Sequence, residues 1–188
     1  MSFLLDTNAY FLLFEHPRPA SYSRLVQHIG VGNTVSFYIS EITSLEIHSV
    51  LGKYRRGSPA QRQQCKREIA VGDTVAQCSN TWIDRGQKKM KPKVFRAVQK
   101  LISDVEAQRG NIQATMLQLD LDATQKARDL LRKYADRYSF GSHDALIAGS
   151  LITARQAQGM NLTLVTSDRG LKAVLRDEAI PFYDPLLT

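Results

Sequence analysis

Phe3-Leu4-Leu5-Asp6-Thr7-Asn8, near the start of the chain, and Leu162-Thr163-Leu164-Val165-Thr166-Ser167-Asp168, near its end, share one design: a short apolar run that finishes on an acid. Runs this short and this uniformly apolar predict strands buried on both faces, as in a parallel sheet. An acid that directly follows such a strand stands at the carboxyl edge of the sheet. In open α/β sheets that edge borders the crevice where ligands bind.

The residues between these two runs alternate strand-like and helix-like stretches. Ala9 to His16 reads as a helix, broken by Pro17 and Pro19, and Ala20 to Ile29 as a second, with Tyr22, Leu25, Val26 and Ile29 on one face. Thr34 to Ile39 has the β-branched and aromatic content of a strand. Ser40 then caps a helix reaching about Gly57, with Glu41 in its favourable first turn. Residues 60–109 show helical spacing with weak amphipathicity, which predicts two or three helices forming an arm. Ile112 to Leu119 alternates as a half-exposed strand does. Asp122 with Gln125 suits a capping box for a helix to about Tyr138. Gly141-Ser142 opens another helix, Leu171 to Asp177 reads as a short one, and Ile180 to Tyr183 as an edge strand. Strands separated by helices predict a three-layer α/β/α sandwich around a mostly parallel sheet. The reading is one domain spanning residues 1–188, with a basic helical insertion at about 58–110.

Two more acids have suggestive settings. Glu46 lies in Ile42-Thr43-Ser44-Leu45-Glu46-Ile47, and Asp144 opens Ser142-His143-Asp144-Ala145-Leu146-Ile147-Ala148. Four carboxylates gathered in one crevice repel one another. A divalent cation such as Mg²⁺ relieves that repulsion and brings phosphate chemistry with it. Each acid also has an ordinary reading. Asp6 suits a turn or a helix cap, Asp144 a helix N-terminus, Asp168 a cap for the helix near 171, and Glu46 a helix surface.

Charge is distributed unevenly. Residues 53–100 carry 13 basic and 3 acidic side chains, whereas the rest of the chain carries 12 and 15. A basic segment on a slightly acidic body is the footprint expected for a polyanionic partner, with a solvated basic surface as the plainer alternative. Trp82 within it could stack a base or anchor the arm. Chemistry is narrowed by what the sequence lacks: GxxxxGK[ST] and GxGxxG nucleotide loops are absent. No apolar run is long enough for a membrane span. Cys65 and Cys78 make neither a disulfide framework nor a four-ligand zinc site, so a reducing cytoplasm is the expected compartment. A phosphatase with Asp6 as nucleophile would normally place a second acid two residues on, where this chain has Asn8.

Taken in order, the strand ending in Asp6-Thr7-Asn8, the helix-borne Glu46, Asp144-Ala145-Leu146-Ile147-Ala148 and Leu164-Val165-Thr166-Ser167-Asp168 resemble the four motifs of the PIN domain, in the style of the VapC-like ribonuclease toxins. The resemblance covers about residues 1–57 and 111–188. It implies a PIN-like α/β/α fold, a Mg²⁺ or Mn²⁺ site formed by Asp6, Glu46, Asp144 and Asp168, and support from Thr7, Asn8 and Thr166. It further implies endoribonuclease activity on RNA, a cognate antitoxin, and a homodimer. The basic stretch is then expected to grip RNA through Arg55, Arg56, Arg85, Lys88, Lys89, Lys91 and Lys93. Glu46 and Asp144 stand 98 positions apart, more than in compact toxins of this kind. A catalytically silent RNA-binding or scaffold module on the same fold is the alternative.

Overall fold

The computed structural model describes residues 2–15, 17–31, 34–84, 86 and 88–187. The chain opens with β1 (Ser2–Leu5), α1 (Thr7–Leu12), α2 (Ala20–Ile29), β2 (Gly30–Val31), β3 (Thr34–Ser40) and α3 (Glu41–Arg56). Four short strands follow: β4 (Gln61–Gln64), β5 (Glu68–Val71), β6 (Thr74–Gln77) and β7 (Thr81–Asp84). The remainder is α4 (Pro92–Glu106), β8 (Ile112–Leu117), α5 (Leu121–Tyr134), α6 (Ser142–Ala157), β9 (Leu162–Val165), α7 (Arg169–Asp177) and β10 (Phe182–Tyr183).

The chain divides into two compact units, Met1–Ser49 with Val98–Thr188, and Val50–Ala97. In the first, five strands among the described residues run parallel in the order β10-β9-β1-β3-β8, and β2 pairs antiparallel with the start of β3. The chain thus winds outward from β1 through β3 to β8, then returns to β1's other side for β9 and β10. The direction of winding reverses between β1 and β9, which makes the gap beyond their carboxyl ends the topological switch point.

The strands there are apolar because both faces are covered: Leu4, Leu5, Leu162, Leu164 and Val165 are fully buried. Leu4, Leu162 and Leu164 share a core with Ile147, Ala148 and Leu151 of α6 and with Leu171, Val174 and Leu175 of α7. α6 lies unusually close to α5. A Cβ on Gly149 would stand 2.3 Å from the Ala123 carbonyl oxygen, so only glycine fits. β10 is the predicted edge strand.

The second unit corrects the sequence reading. Residues 61–84 form antiparallel strands, β4 with β7 and β5 with β6, in place of helices. Among the described residues of 60–109, helix is confined to α4, which begins at Pro92, where a missing N–H costs nothing. The turn residues explain the difference. Gly72, at φ 59°, occupies the first position of the two-residue loop between Val71 and Thr74, a place that demands a positive φ. Trp82 is 48% exposed on β7, so it is no buried anchor.

Candidate metal centre

Asp6 sits where β1 becomes α1. Its Oδ1 accepts the Ala9 amide at 2.7 Å and so caps α1. Its Oδ2 accepts the Thr166 hydroxyl at 2.5 Å. That hydroxyl in turn accepts the Asp168 amide at 3.1 Å, so one threonine ties the end of β9 to the end of β1. Asp168 caps α7 through Leu171 N–H at 2.7 Å. Asp144 accepts the Gly141 amide at 3.1 Å, turning back over the start of α6. Glu46 accepts the Thr7 hydroxyl at 2.5 Å on one oxygen and faces His143 Nδ1 at 3.5 Å with the other. α3 is held at this edge by Ser40, which accepts the Thr43 amide, and by Thr43, whose hydroxyl reaches the Leu5 carbonyl.

The capping roles weighed for Asp6, Asp144 and Asp168 are therefore all real, and these three acids stand near enough for their charges to act on one another. Burial pushes the Asp6 carboxyl up to about 6, against the pull of Ala9 N–H and Thr166, and the charges of Asp168 and Asp144 push it the same way. Burial likewise raises Asp144, with Asp168 and Glu46 adding to it. Among the described residues no Lys or Arg pairs with Asp6, Asp144 or Asp168. As the side chains stand, no three His, Cys, Asp or Glu residues among those described converge tightly enough to hold an ion. The donors are nonetheless all hard, anionic oxygens, which suits Mg²⁺ or Mn²⁺ over soft metals. The capping bonds occupy Oδ2 of Asp144 and Oδ1 of Asp168, and the other oxygen of each is the one available to an ion.

Of the supporting residues, Thr7 and Thr166 are buried and take part as described, whereas Asn8 is exposed on the first turn of α1. Glu41 is occupied elsewhere, accepting the Leu119 amide at 2.9 Å. Asp120, rather than Asp122, caps α5, accepting Ala123 N–H at 2.7 Å. Sequence reading passed over Glu106. It accepts the Ser44 hydroxyl at 2.9 Å, and its charge, after burial, helps raise the Tyr10 phenol. No motif marks it, since it meets α3 only through tertiary contact.

Of the expected RNA-binding cations, Arg56, Lys88, Lys89, Lys91 and Lys93 are exposed, and Arg55 is half-buried with a bond to the Met90 carbonyl. Arg85 lies outside the described residues. A cleft of about 320 Å³ lined by Lys126, Lys133, Arg155 and Glu178 contains none of the four acids.

No family model matches this chain, and no curated protein matches it in sequence. Solved structures match it from end to end. The FitAcB structure from Neisseria gonorrhoeae aligns with a TM-score of 0.57 at 16% identity, covering 99% of each chain. A toxin–antitoxin complex from Klebsiella pneumoniae aligns at 0.52 and 15%, covering all of both chains. DNA-bound VapBC from Salmonella typhimurium aligns at 0.52 and 18%, covering 98% of each. At such identities the likeness is one of fold, and the fold is the PIN-like α/β fold that the four motifs implied.

Proposed function

We propose that this chain is a metal-dependent endoribonuclease and the toxin of a toxin–antitoxin pair. The observation that carries this reading is the acidic edge of the switch point. Asp6 is buried and close enough to Asp144 and Asp168 for all three charges to interact, yet no Lys or Arg among the described residues pairs with them. Leaving such charges unpaired is costly unless a cation arrives with the substrate.

Asp6, Glu46, Asp144 and Asp168 would hold Mg²⁺ or Mn²⁺, which when bound supplies Lewis acidity toward water and phosphate oxygens. The chain's own contribution is orientation. Thr166 fixes one oxygen of Asp6, Ala9 N–H fixes the other, and Thr7 fixes Glu46. His143, beside Glu46 and mostly exposed, would be free to face an RNA strand on this reading. The basic residues Arg55, Arg56, Lys88, Lys89, Lys91 and Lys93 supply the phosphate attraction that RNA requires. The likeness to a toxin–antitoxin complex supports an antitoxin partner, and a homodimer belongs to the same reading. Sizing of the purified chain and co-purification from its host test both.

The deciding experiment is cleavage of a mixed RNA pool with Mg²⁺ or Mn²⁺, using EDTA and Asp144→Asn as controls. Cleavage disappears in both controls if the proposal holds; equal cleavage by wild type and Asp144→Asn overturns it. One observation favours a silent RNA-binding module instead: three of the acids are turned onto their own helix ends. That reading predicts RNA binding, unaffected by EDTA, without cleavage.

A further inference from the structure

The two short ladders of the second unit share one register. Gln61 faces Asp84 and Gln64 faces Thr81 in one; Glu68 faces Gln77 and Val71 faces Thr74 in the other. Between them, Cys65 N–H donates to the Asn80 carbonyl at 2.8 Å and Cys78 N–H to the Arg67 carbonyl at 2.9 Å, continuing the same pairing. Residues 61–84 are thus a single long hairpin whose ladder is interrupted midway. Both cysteines of the protein lie in that interruption, one on each strand, diagonally across from each other.

The shared register turns both side chains to the same face of the hairpin, and both are free and half-buried. They line a cleft of about 300 Å³ with Lys66 and Arg67. In a regular ladder a diagonal pair stands near the distance limit for a bridge. Here the two side chains line one cleft at a point where the ladder is interrupted and the strands have room to adjust. A structural zinc site is not the better reading, because it takes four ligands and no third His, Cys, Asp or Glu among the described residues completes a set.

We propose that Cys65 and Cys78 form a reversible redox site, a dithiol that closes to an intramolecular disulfide by exchange with a small-molecule disulfide such as oxidised glutathione. The Cys65 thiolate attacks one sulfur of the small disulfide, that S–S bond breaks, and one small thiolate leaves and takes up a proton. The Cys78 thiol then gives up its proton and attacks Cys65 sulfur in the mixed disulfide, releasing the second small thiol. Two protein thiols are oxidised by two electrons, and one small disulfide is reduced to two thiols. Cys65 is suited to the first attack. The bond to Cys78, a bond to the Arg67 backbone and the Arg67 charge hold its thiol below the usual range. The bridge closes the arm where backbone pairing is thinnest, so reduction and oxidation loosen and fasten the hairpin. In a reducing compartment a disulfide of this kind is transient and responsive.

The test is to equilibrate the full-length chain in glutathione buffers of increasing oxidised fraction, quench with acid, alkylate, and record intact mass without reductant. The expected product has lost two hydrogens and both alkylatable thiols, carries no glutathione, and yields a peptide cross-linked between Cys65 and Cys78. Dithiothreitol restores both thiols. Cys65→Ser and Cys78→Ser each stop at one glutathione adduct. Wild-type protein that accumulates adducts on both cysteines, links into disulfide dimers, or keeps both thiols throughout overturns the proposal.

Discussion

Asp6 and Asp184 are both buried carboxylates at the carboxyl end of a parallel sheet, and the fold treats them oppositely. Asp184, which follows β10, bonds Lys172, the Ser167 hydroxyl and the Leu186 amide. Burial works to raise its carboxyl, and these partners together bring it below the ordinary value. Asp6 has hydrogen bonds of its own, but its charged neighbours are further acids, and it rises to about 6. Glu178 repeats the pattern of Asp184: bonds from Lys133 and Tyr134 lower it. The protein therefore neutralises acids where they serve structure and leaves them uncompensated at the switch point. On the function proposed above, the uncompensated edge is where an external cation would bind.

Breaking the balanced pair gives the largest expected effect on stability. Lys172→Met strands Asp184 in the interior, and loss of one partner of a buried pair costs about 3–5 kcal/mol. Urea denaturation should show it; an unchanged midpoint would mean that Ser167 and Leu186 suffice. Breaking the unbalanced group should act on activity in one direction and on stability in the other. Asp6→Asn keeps a capping side chain and removes the repulsion. Cleavage in Mg²⁺ is expected to fall about a hundredfold to a thousandfold, as when one group stabilising transition-state charge is removed. In chelator at pH 7 the same variant should melt at a higher temperature than wild type.

The pH dependence sharpens the contrast. A carboxyl raised from 3.8 to about 6 binds more protons folded than unfolded between those values, so stability falls as pH rises from about 4 to about 6. The full contribution is roughly 3 kcal/mol, from about 1.4 kcal/mol for each tenfold change in proton affinity. Asp184, lowered, contributes the opposite: stability present near neutrality and lost as pH drops below the ordinary aspartate range. Thermal melts from pH 4 to 7 in EDTA should therefore show stability declining toward pH 7 in wild type and a weaker decline in Asp6→Asn. Millimolar Mn²⁺ should restore wild-type stability at pH 7 and do little near pH 5. The smallest effect is expected from the basic segment. Replacing Lys88, Lys89, Lys91 and Lys93 with Gln should weaken RNA binding and flatten its salt slope by about 0.7 for each phosphate no longer neutralised. An unchanged slope would assign these lysines to solvent.

How far the sequence could be read varied with the range of the interactions involved. Ser40 as cap, the buried runs at Leu4-Leu5 and Leu162 to Val165, and the helix opening at Gly141-Ser142 are set by neighbours a few residues away, and they appear where expected. The hairpin at 61–84 was legible too: Gly72-Asp73 between Ile69-Ala70-Val71 and Thr74-Val75-Ala76 is a two-residue turn signal. Weak amphipathicity across a longer window obscured it. By itself, then, the sequence determined much of the alternation of elements, three acids at strand or helix ends with Glu46 inside a helix, and the basic middle, because caps, turns and apolar periods act locally. Only the tertiary structure decided which acids feel one another's charge and which receive a lysine. Thr166 reaches Asp6 across 160 positions because β9 pairs beside β1, and the electrostatics of a buried carboxylate depends on distances that the sheet order alone sets.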